Sequence, residues 1–155
     1  MEALVKQFDL SRLSADPFGV SLGIRPIKVG HGTSLVAVEI EPRHMNSNGY
    51  VNGGVSFALA DAAMGLAIAT DMLNRKTSSA TLELKLNFLR GAKGGRLEAE
   101  ATVLRITERF AMAEATIRAD GHDIAKALGT FAILPLTEGV RAALRGNRGE
   151  RAPKA

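Results

Sequence analysis

The chain has 155 residues, of which 46% are hydrophobic and 23% charged, so disorder along its whole length is excluded and one domain with an ordinary core is expected. It contains no cysteine, which excludes disulfides, thiolate metal sites and cysteine nucleophiles. The net charge of +4 sits in residues 141–155, where Arg141, Arg145, Arg148, Arg151 and Lys154 face Glu150 alone; the preceding residues balance. This predicts a solvated basic tail rather than a nucleic-acid-binding body.

Residues 2–13 place Leu4, Val5, Phe8 and Leu13 at the spacing of a short amphipathic helix, and Ser14 to Pro17 breaks it. The start lacks the basic residues and long apolar run of a signal peptide. Phe18 to Val29 reads as a ragged strand in which Pro26 marks an edge or a bulge. A turn at Gly30-His31-Gly32 leads into Thr33–Glu41, which alternates Val36, Val38 and Ile40 with Glu39 and Glu41. A glycine-studded turn then opens a helix over Val55–Thr70, too short and too interrupted to cross a membrane. Asn74–Thr77 is a polar loop. Four strands follow as a meander: Thr81–Arg90, a strand from Leu97 to Val103, Met112–Arg118 and Ile124–Leu134. Asp120-Gly121 signals a hairpin between the last two. Pro135 ends the regular structure.

The division expected is a lead-in over 1–17, a folded domain over 18–136 and a flexible basic tail over 137–155. One apolar helix and one antiparallel sheet bury each other only if the sheet wraps the helix, an α+β arrangement. The protein reads as soluble and cytoplasmic. Three dispersed histidines, His31, His44 and His122, predict no metal site. His31 and His122 read as exposed, and His44 as a loop-packing residue.

Asp61 is the residue that needs explaining. It is the only ionisable group between Val55 and Thr70, in a helix apolar on nearly every side, and such a helix is expected to be buried. A buried carboxylate is costly unless paired, and perturbed acids concentrate at functional sites. The bland alternative is a structural carboxylate paired with an arginine. Just upstream, Asn52 is a good N-cap, and Gly53 and Gly54 offer unsatisfied N–H groups at the positive end of a helix. Such donors suit an oxyanion, although two glycines also make a tight turn.

The run H-x-N-x-x-G-x-x-N-G-G-x-x-x-x-L-A-D, from His44 to Asp61, resembles the signature of hotdog-fold acyl-CoA thioesterases. It is most similar to their phenylacetate-pathway (PaaI-like) branch, which has His-Gly-Gly where this chain has Asn52-Gly53-Gly54. The resemblance continues through Thr77–Arg90 and Gly129–Phe131, covering about residues 18–134. It implies a hotdog fold, with the curled sheet wrapped around one long buried helix. It also implies a catalytic Asp61 acting as nucleophile or as base on water. Asn46 would position the thioester or the water, Gly53 would supply the oxyanion N–H, and Ser79 would steady the carboxylate. Asn52, Gly54, Ala80 and Arg90 would contact substrate or coenzyme A, Arg90 being equally readable as a solvated strand end. Asn52 cannot carry a proton at neutral pH as a histidine can, which bears on rate and substrate choice.

Gly53 and Asp61 lie eight residues apart, or about 12 Å along one helix. If both act on one thioester they come from different subunits, which predicts a site across a symmetric interface, in a homodimer at least and a tetramer by expectation. No cofactor is expected beyond the coenzyme A of the substrate, and no membrane partner. Two other functions stay open: a non-catalytic acyl-CoA-binding or regulatory protein, and a hydratase. The hydratase would want an Asp/His pair, yet no histidine occurs between His44 and His122.

Overall fold

The structure is a computed structural model that describes residues 16–75 and 77–136. The predicted helix over 2–13 and the basic segment 137–155 lie outside the described residues. The elements in order are α1 (Pro17–Leu22), β1 (Arg25–Gly30), β2 (Thr33–Glu39), a 3-10 turn (Pro42–His44), α2 (Gly53–Arg75), β3 (Thr77–Phe88), β4 (Arg96–Ile106), β5 (Phe110–Ala119) and β6 (His122–Pro135). All strand pairs are antiparallel, in the spatial order β1-β2-β4-β5-β6-β3. The sheet curls around α2 without closing. Irregularities in register at Pro26/Lys28, Thr81/Glu83, Val103/Arg105 and Ile117/Arg118 add to the curl, because a bulge bends and twists its strand.

Three expectations are corrected. The ragged strand over 18–29 is α1 followed by β1. Asp16 caps α1 by accepting the Phe18 and Gly19 N–H groups, Pro17 opens it, and Gly23 closes it at φ 74°. Those capping signals outweigh the apolar spacing that suggested a strand. The polar loop at 74–77 is shorter than expected, since α2 runs to Arg75 and β3 begins at Thr77.

The meander holds only for β4-β5-β6; β3 pairs with β6, on the far side of the sheet from β1. Helix α2 runs alongside β3 and antiparallel to it, with Met72 by Thr77, Asp61 by Thr81 and Gly53 by Phe88. After the helix the chain folds straight back along it as the edge strand β3, and β2 takes the place next to β4.

The core lies between the concave face of the sheet and one face of α2. Leu59, Met64 and Ile68 are fully buried, each worth about 1.5–3 kcal/mol on burial. They fit because the facing strands carry small residues, among them Ala99, Ala101, Ala113, Ala115 and Ala125. At Gly129 an added Cβ would stand 2.9 Å from the Phe131 ring and 3.0 Å from the Met64 methyl, so only glycine lets these two side chains close over β6. The Ser34 hydroxyl donates to the Ala63 carbonyl at 2.6 Å, fastening β2 to the helix. The stretch Gly53–Met72 is in fact long and apolar enough to cross a membrane, but half of it is buried under the sheet, as befits a core helix.

Candidate active site

The helix is not buried on all sides, and Asp61 is not a fully buried carboxylate. Asp61 is half-buried at the edge of a cavity of about 270 Å³. Helix α2 contributes Asp61, Ala62, Gly65 and Leu66 to the wall, and β3 contributes Ser79 and Thr81. Val20 and Ile24 reach it from α1 and the segment before β1, and Phe131 from β6. Ala62 and Leu66, outside the core face of α2, are thus accounted for by the cavity, whereas Phe57 is exposed. The partner of Asp61 is Thr81, whose hydroxyl donates to Oδ1 at 2.7 Å, and not an arginine or Ser79. The other carboxylate oxygen has no hydrogen bond among the described residues, so it is available to a proton, a water or an electrophilic carbon.

The start of α2 is built from the loop that precedes it. His44 is 1% exposed; its Nδ1 accepts the Glu41 N–H, and its carbonyl accepts the Asn52 N–H at 2.8 Å. This makes it the loop-packing residue expected. Its Nε2 has no partner among the described residues. Asn46 Oδ1 accepts the N–H groups of Asn48 and Tyr50, which bends the chain back toward the helix. Asn52 caps α2, its Oδ1 accepting the Gly54 N–H at 2.9 Å and its carbonyl the Val55 N–H. Such a cap is worth about 1 kcal/mol. The Gly53 N–H is left without an acceptor among the described residues, while that of Gly54 is taken. The ring of Phe88 lies against Gly53, where a Cβ would come within 2.9 Å of its Cζ.

Asp61 and Ser79 therefore share one cavity, and Asn46, Asn52, Gly53 and Gly54 share the helix start. The two groups are not brought together within one chain, because the intervening helix keeps them about 12 Å apart. Ala80 is exposed and pairs with Ala132, on the strand face opposite its neighbours Ser79 and Thr81. Arg90 is exposed just beyond β3, its N–H bonded to the Ile124 carbonyl, and it does not line the cavity. Next to it, Gly91 abuts the Tyr50 ring, and the Lys93 ammonium stands 5.3 Å from the centre of that ring. Of the large apolar residues on α2 and β3, Met64 is core, Leu66 lines the cavity, and Phe57 and Leu82 are exposed. Sequence reasoning missed Thr81 and Gly65. Two-residue spacing from Ser79 along β3 and four-residue spacing from Asp61 along α2 were the signals for them.

A carboxylate at an apolar cavity and a bare helix N-terminus preceded by an asparagine loop also mark a known family. The thioesterase superfamily matches over residues 48–126, which spans the second half of this loop, α2 and most of the sheet. The chain belongs to the thioesterase superfamily. This thioesterase-superfamily chain is 30% identical over 135 residues to a candidate esterase of Saccharolobus solfataricus, covering 86% of this chain and 95% of that one. Among solved structures it is similar to the phenylacetic acid degradation protein PaaI of Thermus thermophilus, in a mutant form, with a TM-score of 0.70, 29% identity, and coverage of 78% and 100%. A mutant thioesterase of Pseudomonas aeruginosa superposes with a TM-score of 0.77 at 25% identity, over 84% of this chain and 96% of that one. The hotdog fold and the PaaI-like resemblance are thereby established.

Proposed function

We propose that the protein is a homodimeric acyl-CoA thioesterase in which Asp61 performs the chemistry and the Gly53 N–H of the other subunit binds the oxyanion. The observation that carries this reading is Asp61 itself, held by Thr81 at 2.7 Å on the wall of an apolar cavity. With Asp61 as base, it takes a proton from water as the water oxygen bonds to the thioester carbon. The carbonyl oxygen becomes an oxyanion, which the preorganised N–H stabilises. Collapse breaks the C–S bond, and the thiolate leaves with the proton held by Asp61. With Asp61 as nucleophile, its free oxygen bonds the carbon, the thiolate leaves, and water then hydrolyses the anhydride. Neither course needs a cofactor.

The subunit-shared site follows from the spacing of Gly53 and Asp61. The edge of β3 supports a dimer: among the described residues the strand pairs only with β6, and Leu82, Phe88 and Leu89 on it or beside it are more than half exposed. Two copies of such an edge pair antiparallel about a two-fold axis. A tetramer would use the outer face of the sheet, where Phe110, Met112 and Leu128 are exposed. Arg90 and Lys93 offer cations near the helix start for the phosphates of coenzyme A. Asn52 stands in for the family histidine as the cap that leaves the Gly53 N–H free.

The test is thiol release from a panel of acyl-CoAs by wild type and Asp61→Asn, with folding followed by circular dichroism. The expected result is turnover by wild type and a loss of several orders of magnitude in the variant. Acyl-CoA binding without turnover by wild type would favour the non-catalytic alternative.

A further inference from the structure

We propose that Gly65 sets the depth of the acyl pocket, and that this pocket accepts a compact, uncharged acyl group, a short or medium chain or a single aromatic ring. This rests on the thioesterase reading of the same site and concerns which thioester is accepted.

Gly65 stands in the interior of a 23-residue helix, where glycine is unfavourable relative to alanine. Close packing commonly explains such a glycine. It explains Gly129, where a Cβ would press on Phe131 and Met64. It does not explain Gly65, because a Cβ there would meet nothing within 4 Å. The space is the cavity itself. Gly65 is one helical turn beyond Asp61, and both residues line the same wall. The missing side chain therefore leaves volume beside the reacting carboxylate, where the acyl group of a thioester attacked there must lie.

The rest of the lining defines what fits. Val20, Ile24, Leu66 and Phe131 make it apolar, and among the described residues no lysine or arginine lines it. The two charged groups among its described lining, Asp16 and Asp61, are both acidic. A carboxylated acyl group would thus find repulsion and no counter-ion. The part of the pocket that one chain supplies holds about 270 Å³, near the lower limit for small-molecule sites, which suits a compact group.

The test compares acetyl-, hexanoyl-, phenylacetyl-, palmitoyl- and succinyl-CoA on wild type, Gly65→Ala and Gly65→Leu. Wild type should favour hexanoyl- or phenylacetyl-CoA over succinyl- and palmitoyl-CoA by about tenfold or more in kcat/KM. Gly65→Leu should lose about tenfold or more on the favoured substrates while keeping acetyl-CoA within about threefold. Gly65→Ala should fall between them and melt no lower than wild type. Equal losses on acetyl- and hexanoyl-CoA, no loss on either, or a wild-type preference for the palmitoyl or succinyl thioester would overturn the proposal. If wild type hydrolyses none of them, the thioesterase reading fails first. Calorimetry with the thioethers S-ethyl-CoA and S-hexyl-CoA then decides the pocket. Tighter S-hexyl binding that Gly65→Leu abolishes upholds it, and equal binding of the two thioethers sinks it.

Discussion

The hydroxyl of Thr81 donates to Oδ1 of Asp61 at 2.7 Å, joining the edge strand β3 to the middle of α2. The bond sits where β3 bulges, between Thr81 and Glu83. It fixes one carboxylate oxygen and leaves the other unbonded, so a single threonine sets the direction in which the acid can act. Anything that shifts β3, including a second copy paired along its free edge, acts on Asp61 through this contact.

Thr81→Val removes the hydroxyl at nearly constant shape. Because Asp61 reaches solvent, stability should change by only about 1 kcal/mol. Turnover of an acyl-CoA should fall by about tenfold or more, since the carboxylate loses the contact that orients it. Thr81→Ser should restore most of the rate. A valine variant that turns over like wild type would show that Asp61 needs no such support.

Much of the site was legible because its chemistry is local in sequence. Asn52 capping α2 and the bare Gly53 N–H follow from residues a few positions apart, whereas the partial exposure of Asp61 does not, since its own helix reads as apolar on nearly every side. Periodicity also located β2, β4, β5 and β6 to within a few residues. The misses were of two physical kinds. At Pro17–Leu22 an Asp-Pro start and a Gly stop made a helix out of residues whose apolar spacing also suits a strand. At Asp61 the hydrogen-bond partner came from β3, twenty residues away, and it is brought there by β3 folding back along α2. No pattern within one segment encodes that return.

Gly53→Ala tests the helix start. The added methyl would stand 2.9 Å from Phe88 Cζ, but that ring is 53% exposed and can swing aside. Helix propensity favours alanine by up to about 1 kcal/mol. The melting temperature should hold or rise while kcat falls about tenfold or more, because the methyl stands beside the N–H that receives the oxyanion. Unchanged turnover would remove the Gly53 N–H from the mechanism.

Gly121→Ala separates folding from function. Asp120 and Gly121 form the β5–β6 hairpin with φ of 49° and 76°, a two-residue turn with both central residues left-handed. A Cβ at Gly121 meets open space, so the strain is purely conformational and should cost about 1–2 kcal/mol. The melting temperature should drop by a few degrees, and activity per folded molecule should not change, since the turn does not line the cavity. A melting temperature equal to that of wild type would show that the turn tolerates alanine.

The subunit-shared site predicts recovery of activity from two inactive parents. Asp61→Asn removes the acid. Asn46→Ala removes the acceptor that holds Asn48 and Tyr50, loosening the loop before Gly53 in the same chain. Either homodimer then carries two damaged sites. In a heterodimer with a trans arrangement, one site draws its acid and its helix start from the two damaged halves. The other site draws both from intact halves. Activity should return to about half of wild type per heterodimer, and to about a quarter in an equal, randomly assorted mixture. Two affinity tags, one on each parent, allow the heterodimer to be purified and its formation proved. In a cis arrangement every site in the heterodimer keeps one lesion, so purified heterodimers with no more activity than their parents would place Asp61 and Asn46 in the same subunit's site and overturn the trans arrangement.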